Sequence, residues 1–215
     1  RISRIAQEMD KRAPIAFRVN PHVEAGGHAH ISTGTPETKF GIAWHEADAF
    51  YDEASRLPNI DPVGVAVHIG SQIMRVEPMR AAWEKVVALA RRLRDRGFAI
   101  SRVDFGGGLG VPYRAGEVMP SPAEYGAMVA RVTKGWDVTL MFEPGRVIAG
   151  NAGVLLTRVV RVKRNGNRVP FVIVDAAMND LARPALYGSW HDFDAVRPSG
   201  QRMVANIVGP ICETG

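Results

Sequence analysis

The chain has 215 residues, 46% hydrophobic and 23% charged, enough to bury a sizeable core in one large or two modest domains and too apolar for disorder. Its 27 basic and 22 acidic residues leave a net charge of +5 with no long block of like charge, which speaks against a nucleic-acid partner. No apolar run, residues 63–67 and 151–156 among the longest, approaches the roughly 20 residues of a membrane span. The single cysteine, Cys212, rules out an internal disulfide or a cysteine-based zinc site and favours a reducing, cytoplasmic setting.

Ile2, Ile5, Ala6 and Met9 recur at three- and four-residue steps and predict a helix at the start. No methionine precedes it, and the chain stops at Ile211-Cys212-Glu213-Thr214-Gly215 directly after a strand-like run, so a fragment of a longer protein is expected. From residue 13 to about 143, four short runs rich in valine, isoleucine and phenylalanine, 15–20, 63–68, 100–105 and 138–143, read as parallel strands covered on both faces. Between the second and third, Met79, Trp83, Val86, Val87, Ala90 and Leu93 form a helical stripe over residues 78–97, closed by Gly97. Ser121-Pro122-Ala123-Glu124 combines an N-cap serine, a first-turn proline and a capping-box glutamate, predicting a helix from 122 to about 134.

Strands joined by helical crossovers fit an open doubly wound sheet or part of a (β/α)₈ barrel, and strand count alone does not choose. After Gly150 the pattern turns β-rich: 154–162, 171–174 and 203–208, with the turn-like Arg164-Asn165-Gly166-Asn167 between the first two. The expected division is a β/α domain over 1–148 and part of a β domain over 149–215. Arg158, Arg161, Lys163 and Arg164 read as a solvated edge strand, where charge discourages edge-to-edge pairing.

The residues able to carry chemistry sit at strand ends, where parallel α/β folds build their sites. His68-Ile69-Gly70-Ser71 follows one strand, Gly106-Gly107-Gly108-Leu109-Gly110 the next, and Glu143-Pro144-Gly145-Arg146 a third. Glycines after a strand let backbone N–H groups approach an anion, although a single pair would mark only a tight turn. The run lacks the Gly-Lys-Ser/Thr of a Walker loop and the immediate helix of a dinucleotide fingerprint, and a phosphate monoester on a cofactor suits it better. Glu143 and Arg146 are either a mutual ion pair closing the strand or a carboxylate for a ring nitrogen beside a guanidinium for an anion. His68 is equally a satisfied core histidine or a site residue. Arg183 and Tyr187 offer a carboxylate clamp and a hydroxyl, or a surface arginine and a packed tyrosine. Cys212 is an inert thiol or, beside Glu213, a proton donor in a cleft.

The ordered set of segments resembles the pyridoxal-phosphate-dependent decarboxylases of the alanine racemase-like barrel class, and within it the diaminopimelate decarboxylases. The matching segments are Arg18-Val19-Asn20-Pro21, Ile31-Ser32-Thr33-Gly34, Lys39-Phe40-Gly41-Ile42, His68–Gln72, Gly106–Gly110, Glu143–Arg146, residues 175–180, Arg183–Tyr187 and 209–215, over essentially the whole chain. The resemblance implies a partial TIM-type barrel followed by part of a β-rich domain, with pyridoxal 5'-phosphate as cofactor. It places His68 against the pyridine ring, Glu143 at its nitrogen, Ser71, Gly108 and the backbone of Gly145 and Arg146 around the phosphate, and counts Gly107 and Pro144 among the cofactor-binding residues. It assigns Arg146, Arg183, Tyr187 and Glu213 to the substrate and Cys212 to proton donation across a homodimer interface.

By the same resemblance the lysine that holds the cofactor lies on an early strand. None of Lys11, Lys39, Lys85, Lys134 and Lys163 matches it, and the tyrosine after the Cys-Glu pair is missing, so the segment alone is expected to be inactive. The implied reaction of the parent is conversion of meso-2,6-diaminopimelate to L-lysine and carbon dioxide. Arginine or carboxynorspermidine decarboxylation is the nearest rival, and a non-catalytic binding relative the alternative of another class.

Overall fold

The computed structural model describes residues 1–25 and 39–212, in two compact units: residues 1–111 with 118–152, and residues 112–117 with 153–215. The first unit is built on a five-stranded sheet of order β2-β1-β3-β4-β5, with β1 Ala13–Asn20, β2 Ile42–Ala43, β3 Ile60–Ala66, β4 Arg102–Asp104 and β5 Thr139–Met141. Every neighbouring pair in it is parallel, as the apolar runs and intervening helices require. β2 is too short to show as a pattern, and α2, Ala47–Arg56, escapes the sequence because it buries only Ala47, Tyr51 and Ala54. The Tyr51 hydroxyl donates to the Gly64 carbonyl and ties α2 to the sheet.

α3 spans Val76–Asp95 and buries Met79, Ala82, Trp83, Val86, Val87, Leu89, Ala90 and Leu93, so every member of the predicted stripe faces the core. It starts two residues before Pro78, whose missing N–H costs nothing in a first turn. Gly97, at φ +94°, follows its end. α4, Pro122–Val132, opens with the expected capping box: the Glu124 N–H donates to Ser121 Oγ at 3.2 Å and the Ser121 N–H to Glu124 Oε2 at 2.8 Å. Trp83 couples the two layers. Its ring meets Phe105 at 4.8 Å and Tyr125 at 5.0 Å, and its Nε1–H donates to the Phe105 carbonyl at 3.3 Å, fixing the chain where β4 ends. α1, Ile2–Glu8, is present, but only Ala6 is buried; Ile2, Ile5 and Met9 remain exposed.

The second unit carries a three-stranded sheet, β6 Val159–Lys163, β7 Phe171–Val174 and β8 Asn206–Val208, with β6–β7 antiparallel and β7–β8 parallel. β6 is an exposed edge strand, as its basic residues predict, and it is shorter than the 154–162 run because 153–158 form no strand. Two further short helices are α5, Arg146–Ala149, in the first unit and α6, Arg183–Tyr187, in the second. No helix among the described residues is long and apolar enough to cross a membrane.

Candidate functional site

Register assembles the site. Ala66, Asp104 and Met141 are aligned across β3, β4 and β5, so the residues two positions further on, His68, Gly106 and Glu143, leave the sheet side by side. The pairing runs on past the strand ends: the Val67 N–H donates to the Asp104 carbonyl at 2.9 Å, Phe105 N–H to Met141 at 3.0 Å and Glu143 N–H to Gly106 at 2.8 Å. Three turns thus meet at the C-terminal edge of a parallel sheet, as expected from their positions in the chain.

The glycines make that approach possible. A Cβ on Gly106 would lie 2.3 Å from the Val67 carbonyl oxygen, on Gly107 1.8 Å from that of Glu143, and on Gly108, at φ +102°, 2.0 Å from that of Gly70. The open anion cradle read from the sequence is therefore narrower than expected. The Gly106 N–H donates to Asp104 Oδ1 at 2.8 Å and the Gly107 N–H to His68 Nδ1 at 3.2 Å. The Gly108 N–H has no acceptor among the described residues.

His68 is held as a neutral ring. Accepting at Nδ1 places its proton on Nε2, and burial, reinforced by the positive Arg18 and opposed by Asp104, keeps its pKa below the ordinary histidine value. Arg18, on β1, donates to the His68 carbonyl at 3.1 Å; burial lowers its pKa, and the charge of Glu143 works in the opposite direction. Arg146, at the start of α5, donates from Nη1 to Gln72 Oε1 at 3.1 Å. Ser71 lies half-exposed on the same turn as Gln72, and Gly145 caps α5 at φ +52°.

Beneath the glycine loop an apolar cavity of about 360 Å³ is lined by Gly107, Leu109, Tyr125 and Val147 among others. Burial, helped by Asp104, pushes the Tyr125 hydroxyl up to about 12, so the lining carries no charge near neutrality.

In the second unit Arg183 and Tyr187 lie one turn apart on α6, the guanidinium 5.1 Å from the ring centroid, with Arg183 Nη2 reaching Ser189 Oγ at 3.4 Å. Cys212 is exposed and free. Glu213 and the 31–34 segment lie outside the described residues. Three residues that gather at the strand ends drew no role from the sequence: Arg18 and Gln72, although both lie in segments that carry the resemblance, and Asp104. A charge within the apolar strand Ala13–Asn20 was the available signal for the first, and an acid directly before the glycine run for the third. For Gln72 the signal was its place in the His68–Gln72 segment.

A parallel β/α sheet whose polar groups collect at one strand edge, beside glycines that bring the turns together, has the layout on which α/β folds build their sites. Residues 1–150 match the family model described as the pyridoxal-binding domain of the pyridoxal-dependent decarboxylases, and the chain belongs to that family. It is 47% identical over 215 residues to a diaminopimelate decarboxylase of Zymomonas mobilis and 50% over 216 residues to one of Pseudomonas fluorescens, covering the whole chain and 51% of each relative. The chain thus spans about half the length of the curated relatives it matches. Among solved structures, diaminopimelate decarboxylase of Helicobacter pylori complexed with L-lysine superposes with a TM-score of 0.93 at 38% identity, over 99% of this chain and 53% of that one.

Proposed function

We propose that the protein of which this chain is a part decarboxylates meso-2,6-diaminopimelate to L-lysine with pyridoxal 5'-phosphate as cofactor. The observation that carries the reading is the convergence of His68, the glycine loop and Glu143–Arg146 at one sheet edge, in a chain whose relatives bear that activity in their names. The residues present suit a phosphorylated pyridine. The Ser71 hydroxyl and the Gly108 N–H are donors without a described protein acceptor, a neutral aromatic ring stands at His68, and Glu143 supplies a carboxylate.

When bound, the cofactor supplies an electron-poor ring that takes up the electron pair left as carbon dioxide departs. Glu143 keeps a proton on the pyridine nitrogen, because a carboxylate beside it favours the cationic form. His68 packs against the ring, and its neutral state avoids facing one cation with another. Ser71, Gly108 and the backbone of Gly145 and Arg146 hold the phosphate; Gly107, whose N–H is committed to His68, orients the imidazole rather than the anion. Arg146 would bind the distal carboxylate as a bidentate donor, and Arg183 is the candidate substrate-binding guanidinium of the second unit. Tyr187 contributes a hydroxyl to the substrate, and Glu213 meets the distal ammonium group. Cys212 delivers the proton that replaces the lost carboxylate on the α-carbon, from the second subunit of a homodimer.

The test is the full-length protein loaded with cofactor and given meso-diaminopimelate, arginine and carboxynorspermidine in turn. Release of L-lysine and carbon dioxide from the first alone is the expected result. Turnover of another member of the panel, or of none, overturns the assignment.

A further inference from the structure

The structure assigns Gln72 as the positioning residue that sets the direction of the Arg146 guanidinium and fastens it to the glycine loop. The inference rests on the reading of Arg146 as a carboxylate-binding group. The Gln72 side-chain amide pairs with the backbone of Val111, the residue that ends the glycine loop: Oε1 accepts the Val111 N–H at 3.2 Å while Nε2 donates to the Val111 carbonyl. That two-point clasp fixes which way the amide faces, since a flipped amide would oppose donor to donor and acceptor to acceptor. The same Oε1 then accepts from Arg146 Nη1 at 3.1 Å. One amide therefore joins the turn after β3, the loop after β4 and the first residue of α5.

Gln72 holds this place at a cost. Its φ of +55° lies in the left-handed region, which disfavours an ordinary side chain. The turn also has no room to relax, because a Cβ on Gly110 would sit 3.0 Å from the Ile73 carbonyl and 3.4 Å from Gln72 Cδ. A strained backbone fixed by packing, with its side chain spent on two partners in a site, is the form that a positioning residue takes. Arginine has a long, rotamer-rich stem, and its forked donors discriminate a carboxylate only when their plane is fixed. The bond to Gln72 fixes it.

The test compares wild type, Gln72→Met, Arg146→Lys and the double variant as full-length holoenzymes. Methionine keeps the length of the side chain and removes the acceptor. We expect Gln72→Met to raise KM for meso-diaminopimelate about tenfold, within the range for losing a hydrogen bond to a charged group, with kcat within about threefold. Equilibrium binding of cadaverine, a diamine of the same spacing with no carboxylate, should change less than about twofold, while pimelate, a plain dicarboxylate, should lose about tenfold. With Arg146→Lys there is no fork to orient, so adding Gln72→Met should change KM by less than about twofold.

Equal losses for cadaverine and pimelate, equal effects of Gln72→Met in both backgrounds, or no effect at all would overturn the assignment, since a general loosening of the loop would not choose between them. Pimelate affinity reports on Gln72 even where the wild type fails to decarboxylate meso-diaminopimelate, an outcome that would overturn the function and leave the positioning role standing or falling by binding alone.

Discussion

Gly107→Ala isolates the packing of the three turns from every other property of the site. Gly107 does not have a positive φ, so alanine suffers no backbone strain there, and the whole effect is steric. The added carbon would lie 1.8 Å from the Glu143 carbonyl oxygen and 2.8 Å from its carbon, against ordinary contact at 3.4 Å or more. Backbone must therefore yield by roughly 1.6 Å, and overpacking of this kind costs about 1–3 kcal/mol. The easiest path moves residues 142–146 outward, because β5 is held to β4 through only three paired residues. That path carries Glu143 and Arg146 with it. A displacement above 1 Å of groups that position a reaction lowers rate on the order of 100-fold. In the full-length protein we expect a fall in urea stability of about 2 kcal/mol and cofactor affinity at least tenfold weaker by fluorescence titration. Gly97→Ala is the control: it has φ +94° but nothing within 4 Å of the new carbon, so it should lose about 1 kcal/mol to backbone strain and leave cofactor affinity unchanged. A Gly107→Ala protein with wild-type stability and affinity would refute the steric argument.

His68 has a folded pKa below its unfolded value of 6.5, so as pH falls through 6.5 the unfolded chain takes a proton that the folded one resists. Stability present above that pH should decline as acid is added, and the urea midpoint of His68→Gln should show a shallower decline between about pH 7 and pH 5. Removing the Tyr51 hydroxyl in Tyr51→Phe deletes its bond to Gly64 and should cost about 1 kcal/mol in the same denaturation, with cofactor affinity intact because α2 bears no site residue. Ser121→Ala breaks the capping box of α4 and should cost about 1 kcal/mol, measured by thermal unfolding.

The sheet was legible where an apolar run marked a strand, as in β1 and β3, although β1 leaves Pro14 and Ala16 exposed, and where a cap or a stripe was explicit, as at Ser121 and along α3. It was not legible where the signal was carried by few or small residues. β2 has two residues, and α2 presents two alanines and a tyrosine to the core, too little for a period to stand out. The helix at Ile2–Glu8 follows its sequence pattern, yet Ile2, Ile5 and Met9 stay exposed, because periodicity reports which face is apolar and not whether anything covers it. At the site, the strand-end rule found His68, Gly106–Gly108 and Glu143–Arg146, since position in the chain and parallel register suffice to bring them together. The roles of Gln72 and Asp104 were missed because each acts through a backbone hydrogen bond across a turn, which no residue type announces.

The glycine run shows why the same letters can be read in two ways. A phosphate loop and a packing loop both require absent side chains, but they spend the freed space differently. Here the space at Gly106, Gly107 and Gly108 is filled by the carbonyls of Val67, Glu143 and Gly70, and two of the three N–H groups are bonded to Asp104 and His68. The loop is first a joint that locks three strand ends at backbone contact. On the reading proposed above, an anion would meet Gly108, Ser71 and the start of α5. Rigidity follows from this order of causes: because no turn can shift without striking another's backbone, a ligand held by one is held in fixed relation to all three. That fixity is what a site needs when its charged groups must meet a planar ring and its phosphate together.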